Sequence, residues 1–210
     1  MPTLQHRAIR NRGRNFWAAC ICLLTTLGLG LPLAEPAGVP GVLITVQGQI
    51  RCTGFNVRQV GDKVYALTAA HCLGKDQVML TDAMTAEGLG VGLPVFIVGD
   101  IAVLVYTSDK TVLILPLTDT RPGFGNPIWA CGVVQEILQA VCFPGSWSGD
   151  SLTYKGYTVY LATLPVRSGF SGGPIGADKG VFAIYSIQLG ASITGTTLVQ
   201  PVIKFLEGLQ

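Results

Sequence analysis

Histidine is scarce in this sequence, with two in 210 residues, and His6 lies in a basic N-terminal tail. Any imidazole chemistry in a folded domain therefore falls to His71. Charge is scarce too, at 12% of residues against 49% hydrophobic, which excludes a disordered chain. No carboxylate precedes Glu35, and the net charge of +2 owes its sign to Arg7, Arg10, Arg12 and Arg14. Without those arginines the chain is slightly acidic, so no basic face for nucleic acid is expected. There is no CxxC and no histidine cluster, which argues against a zinc site, and nothing requires a cofactor. Sustained helical periodicity is also missing, and only the tail Val199–Leu209 could be helical.

What is present begins with Phe16–Leu33, an 18-residue run without charge directly after the arginines. A basic stretch followed by an apolar one reads as an export signal, and this run is also near the lower length limit for a membrane span. Both readings, cleaved signal and retained anchor, place the remaining domain outside the cytoplasm, since positive residues favour the cytoplasmic side. A buried core helix is the plainer alternative, which the charge asymmetry disfavours. Residues 1–37 are accordingly set apart from the fold. Cys20 and Cys22 lie in the apolar run. The other four cysteines, Cys52, Cys72, Cys131 and Cys142, are an even number in an exported domain, which suggests disulfides with three possible pairings.

From Val42 onward, runs rich in Val, Ile, Tyr and Phe alternate with Gly, Pro, Asp and Asn. VLITVQGQI, KVYALTAA, PVFIVGDIAVLVY, TVLILPL, NPIWACGVVQ, YTVYLATL and GVFAIYSIQL read as strands. Short strands at this spacing indicate an all-β sandwich or barrel. The stretch 118–126, TDTRPGFGN, is the most linker-like, and divides the chain into halves at 38–117 and 127–210 with no sequence repeat between them.

Two segments carry chemistry: LTAAHC at Leu67–Cys72 and SGFSGGP at Ser168–Pro174. A serine hydroxyl is a weak nucleophile at neutral pH and needs a nearby base, which in turn needs an orienting partner. Ser171 stands among glycines that allow a sharp turn and expose backbone N–H groups. Those of Gly169 and Ser171 could form an oxyanion hole. On its own the segment is equally a glycine-rich turn, and a lone histidine at a strand end is more often structural. The orienting carboxylate should be buried. Asp100 lies between FIVG and IAVLVY, whereas Asp76, Asp82 and Asp109 stand in polar surroundings that suit turn aspartates.

LTAAHC, then DIAVL, then GFSGGP resembles the three motifs of the chymotrypsin-like (trypsin-fold) serine proteases, in that family's His–Asp–Ser order. The resemblance covers about Val42–Glu207. Its separations, 29 residues from His71 to Asp100 and 71 from Asp100 to Ser171, are closest to compact bacterial HtrA-type and viral members. Within these 210 residues no PDZ-like module is expected. The resemblance implies two six-stranded antiparallel β-barrels with a short C-terminal helix. His71 and Asp100 would come from the first barrel and Ser171 from the second. It implies His71 as general base and acid, Asp100 as its orienter and Ser171 as nucleophile, acting on a polypeptide substrate. It also implies a Cys52–Cys72 disulfide, which leaves Cys131 and Cys142 to pair.

Two departures matter. Phe170 occupies the place where digestive members carry an aspartate that binds a newly freed N-terminus, so activation by N-terminal insertion is expected to be absent. The segment expected to floor the specificity pocket, Thr163–Ser168, carries Pro165 where trypsin-like pockets have aspartate. With Ser186, Ile187 and Gln188 as the substrate-pairing strand, an apolar or small residue is expected before the scissile bond. Two other functions compete. A silent protease-fold binding module is disfavoured by the complete His, Asp and Ser set. Esterase or acyl-transfer chemistry remains possible on the same triad, but an α/β-hydrolase would show the order Ser, Asp, His with alternating helices.

Overall fold

The computed structural model describes residues 42–47, 50–74, 78–135, 138–165 and 167–209. The expected export segment lies outside the described residues.

Among the described residues, twelve strands form two closed antiparallel barrels. The first contains β1 (Val42–Gln47), β2 (Ile50–Val60), β3 (Lys63–Ala69), β4 (Val78–Asp82), β5 (Gly88–Val98) and β6 (Ile101–Thr107). They run β1-β2-β3-β6-β5-β4 around the barrel, and β1 pairs with β4 to close it. The second contains β7 (Pro127–Val134), β8 (Gln139–Tyr154), β9 (Tyr157–Thr163), β10 (Pro174–Ala177), β11 (Gly180–Gln188) and β12 (Ile193–Leu198). It repeats the order as β7-β8-β9-β12-β11-β10, closed by β10 on β7. Closure removes the open edges that long β-branched strands would otherwise present.

Alternate residues of β3 divide between two apolar layers, with Val64 and Ala66 inside the first barrel and Leu67 and Ala69 at the junction. In β3, Val64, Ala66 and Leu67 are fully or nearly fully buried while Lys63 is exposed. The first barrel is filled by Leu43, Val64, Ala66, Leu80, Leu104 and Tyr106. The second is more aromatic, with Trp147, Phe170, Phe182 and Tyr185. Trp147 meets Phe182 edge-on at 5.1 Å. Between the barrels a further apolar layer, including Phe55, Leu67, Ile101, Val181 and Ile184, forms the junction.

One expected strand is not there. TVLILPL, residues 111–117, is an extended connector rather than part of a sheet, apart from a single bridge between Leu117 and Val181. It crosses from one barrel to the other, so its backbone bonds are divided. Leu115 N–H donates to the Asn56 carbonyl on the first barrel, and the Pro116 carbonyl accepts from Val181 N–H on the second. The run PVFIVGDIAVLVY is in turn two strands, β5 and β6, folded back at Gly99–Asp100.

The tail forms helix α1 (Gln200–Glu207), with a proline in its first turn, where no backbone donor is lost. Val202 and Leu206, one turn apart, are buried. Phe205 stacks on Phe96 of β5 at 4.6 Å. The Arg58 guanidinium donates to the Leu206 and Leu209 carbonyls, capping the helix end onto β2. The C-terminal helix thus packs against the first barrel although it follows the second. Among the described residues no helix is long and apolar enough to cross a membrane.

Candidate active site at the barrel junction

His71 sits in a single 3-10 turn, Ala70–Cys72, that ends β3. Asp100 sits in the two-residue turn between β5 and β6, where Val98 pairs with Ile101. Since β3 and β6 are neighbours, with Ala69 opposite Ile101, the two ends meet. The backbone fixes them first, with Ala70 N–H donating to the Asp100 carbonyl at 2.8 Å. The Asp100 carboxylate, almost fully buried, then accepts from the His71 main-chain N–H at 3.0 Å and lies 2.9 Å from Nδ1 through both oxygens. A buried carboxylate requires such partners. With Nδ1 donating to Asp100, Nε2 is left as the free acceptor. The His71 side chain is 44% exposed, so that nitrogen can meet solvent or a ligand.

The rival aspartates do other work. Asp82 accepts from the Met84 and Thr85 N–H groups and from the Thr85 hydroxyl, closing its own turn. Asp109 is exposed beyond β6. Asp76 lies outside the described residues.

Ser171 lies on the loop before β10. Its carbonyl accepts from Thr53 N–H at 2.8 Å, and Gly172 N–H donates to the Tyr185 carbonyl at 2.8 Å, so the loop is tied to both barrels. Gly172 has φ +82°, and a Cβ there would stand 2.4 Å from the Thr53 oxygen and 2.5 Å from the Ala69 nitrogen. Only glycine permits this approach, and Ala69 is two residues from His71. No hydrogen bond joins the Ser171 hydroxyl to His71 among the described residues. Nucleophile–base bonds are often long without substrate. The Gly169 and Ser171 N–H groups likewise have no acceptor among the described residues.

Phe170, fully buried, anchors the loop in the second barrel. It stacks on Phe143 at 5.8 Å and meets Tyr185 edge-on at 6.5 Å. Gly132 provides the space, since a Cβ there would stand 2.6 Å from the Phe170 ring.

Both disulfides are present. Cys52–Cys72 spans 20 residues and ties β2 to the residue after His71. Cys131–Cys142 joins residues directly opposite in the β7–β8 ladder. Disulfides of this kind fit an oxidising, extracellular compartment.

A cavity of about 300 Å³ adjoins His71 and Asp100, and Ser186 and Ile187 line it. The hydroxyl of the buried Ser186 lies 2.6 Å from the Thr197 hydroxyl, and Gln188 is exposed. Past Tyr185, β11 is paired only with β12 among the described residues, so Ser186–Gln188 present an open edge. Thr163 and Pro165 are exposed and do not line this cavity.

Sequence reasoning missed the opposite wall, made by Tyr154, Lys155 and Tyr157. These belong to the β8–β9 hairpin, whose turn has Lys155 at φ +49° and Gly156 at φ +86°. A Lys-Gly pair between two alternating runs is a readable hairpin signal. Its reach to Asp100 is tertiary and has no local signature. Burial pushes the Tyr157 phenol up, and the Asp100 charge adds to this. Among the described residues no three His, Cys, Asp or Glu side chains gather as a metal site.

Two closed six-stranded barrels with this strand order, and a site at their junction, define the chymotrypsin-like fold. Solved structures of serine protease domains share it. The inactive form of the Rv3671c protease matches with TM-score 0.65 and 16% identity, covering 80% of this chain and 88% of that one. A mutant of that protein from Mycobacterium tuberculosis H37Rv, also in an inactive form, matches with TM-score 0.64 and 16% identity over 80% and 85% of the two chains. The MamO protease domain from Magnetospirillum magneticum matches with TM-score 0.64 and 18% identity over 81% and 96%. No protein-family model and no curated protein matches the sequence.

Proposed function

We propose that this protein is a serine endopeptidase. The observation that carries the reading is the Asp100–His71 pair, in which a buried carboxylate holds Nδ1 of a half-exposed His71, two residues after the Ala69 backbone that Gly172 of the Ser171 loop approaches. In the reaction, Nε2 takes the Ser171 hydroxyl proton as Oγ attacks the scissile carbonyl. Asp100 stabilises the resulting imidazolium, and His71 returns the proton to the leaving amine. Water then attacks the acyl-enzyme by the same route. The Gly169 and Ser171 N–H groups supply the oxyanion hole. The open edge at Ser186–Gln188 pairs with the substrate backbone, and the apolar surroundings favour a small or apolar residue before the scissile bond.

Phe170 supports activity without N-terminal insertion, because apolar packing holds the loop where an ion pair would otherwise be needed. The arginine-flanked run at 16–33 supports export, as a signal or as an anchor.

The test is hydrolysis of a peptide library by the full, oxidised chain. Expected are cleavage after small or apolar residues and a burst of acyl-enzyme. Turnover appearing only after trimming to one defined N-terminus would refute the activation claim. Cleavage mainly after Lys or Arg would refute the specificity.

A further inference from the structure

Thr53 takes no part in the chemistry above, yet every hydrogen-bonding group it has is engaged at the junction. It lies in β2 directly after Cys52 and is fully buried. Its N–H donates to the Ser171 carbonyl at 2.8 Å, and its carbonyl accepts from the Thr68 hydroxyl at 2.8 Å. Its own hydroxyl donates to the Gly169 carbonyl at 2.6 Å and accepts from the Val133 N–H at 2.8 Å. One side chain of the first barrel therefore holds both the Ser171 loop and β7 of the second.

Gly169 has φ +98°, a conformation with little steric preference in glycine, so bonds to neighbours must decide how its two flanking peptides point. In a planar trans peptide the carbonyl of Ser168 and the N–H of Gly169 point in opposite directions. The Ser168 carbonyl accepts from Gln135 N–H at 3.4 Å, a long bond. The Gly169 carbonyl belongs to the next peptide, whose oxygen accepts from the Thr53 hydroxyl at 2.6 Å and whose Phe170 N–H donates to the Arg167 carbonyl at 3.2 Å. With both carbonyls held, the Gly169 N–H has one direction left.

We propose that Thr53 is a positioning residue whose hydroxyl holds the Gly169–Phe170 peptide, and through Gly169 fixes the adjoining Ser168–Gly169 peptide whose N–H receives the developing oxyanion. The inference rests on the reading of Ser171 as nucleophile. A valine has the same branched shape and removes only the hydroxyl, leaving the Gly169 carbonyl and Val133 N–H unpaired. Because that N–H acts on the transition state more than on bound substrate, losing its alignment lowers kcat and spares KM.

The test uses the full, oxidised chain with Thr53→Val, Thr53→Ala and Thr53→Ser. Thr53→Val is expected to lower kcat by about 10- to 100-fold with KM within about threefold. Affinity for a peptide aldehyde, which mimics the tetrahedral state, should fall by the same factor. Thr53→Ser should recover kcat to within about threefold of wild type, since a serine hydroxyl can make both bonds. Thr53→Ala, which adds no bulk, must show the same split and stands in if the valine variant does not fold. Undiminished kcat without the hydroxyl, an equal change in KM, or failure of serine to restore turnover would overturn the proposal. A wild-type chain that no fluorophosphonate labels would overturn the nucleophile reading itself. A labelled wild type with unimpaired Thr53→Val and Thr53→Ala overturns this inference alone.

Discussion

The two barrels share one strand order and hold their chemistry by different means. The first presents His71 and Asp100 on two turns of neighbouring strands. They are locked by a side-chain pair, by the Ala70–Asp100 backbone bond and by the Cys52–Cys72 bridge. The second presents Ser171 on a glycine loop, with no side-chain partner for the Ser171 hydroxyl among the described residues. That loop is held by backbone bonds to Thr53 and Tyr185, by the Thr53 hydroxyl on the Gly169 carbonyl and by the buried Phe170 ring. A pair of side chains is sufficient where charge must be oriented. A loop that must expose N–H groups is held from behind, because anything in front would fill the place of the substrate.

The comparison is tested most strongly at the pair itself. Asp100→Asn keeps the shape but favours the wrong tautomer of His71, and should lower kcat by about 10⁴-fold. Its folding should be nearly unchanged, checked by thermal melting beside the kinetics.

Gly172→Ala tests the loop. Its Cβ would meet backbone of the first barrel at 2.4 and 2.5 Å, so the loop must shift, and turnover should fall by about 100-fold. Wild-type turnover in this variant would mean that the loop's position does not matter.

Removing large core side chains separates the barrels further. Phe170→Ala and Leu80→Ala should each cost about 2–5 kcal/mol in denaturant titrations. Only Phe170→Ala should also lower kcat in the population that remains folded, because only Phe170 is part of the nucleophile loop.

The smallest effect is in alkali. Burial pushes the Tyr106 phenol up to about 12, offset in part by its bond to Asn56 and helped by Asp82. Below pH 10 the phenol is neutral in both states. As pH rises from about 10 to about 12 the unfolded chain loses this proton while the folded one keeps it, so stability falls across that window. Tyr185 shifts the same way through burial. Tyr106→Phe should flatten part of the decline in unfolding titrations, and an unchanged slope would remove Tyr106 as its source.

The His71 and Asp100 positions were legible because each follows or precedes a run that can only be a strand. The strand character of β6 was written in its alternating Ile101, Val103, Val105 and Thr107, and that of β3 and β11 in aromatic and β-branched residues bounded by turn signals. The run 111–117 has the same composition but lies between barrels, where no neighbour offers a ladder, and composition carries no record of neighbours. Strand β8 was missed for the opposite reason. QAVCFPGSWSGDSLTY reads as turns, yet its shift of register between Trp147 and Ser151 absorbs the glycine within a continuous strand. The role of Thr53 and the reach of the Lys155 hairpin to Asp100 were illegible because both depend on partners distant in the chain, such as Gly169 at 116 residues from Thr53, and local sequence gives no sign of them.

The most direct test of the account is fluorophosphonate labelling of the full, oxidised chain, with the modified residue located by peptide mapping. The account predicts stoichiometric modification of Ser171 alone, abolished in Ser171→Ala and nearly abolished in His71→Ala. A folded chain with both disulfides formed that stays unlabelled, or labels equally without His71, would contradict it.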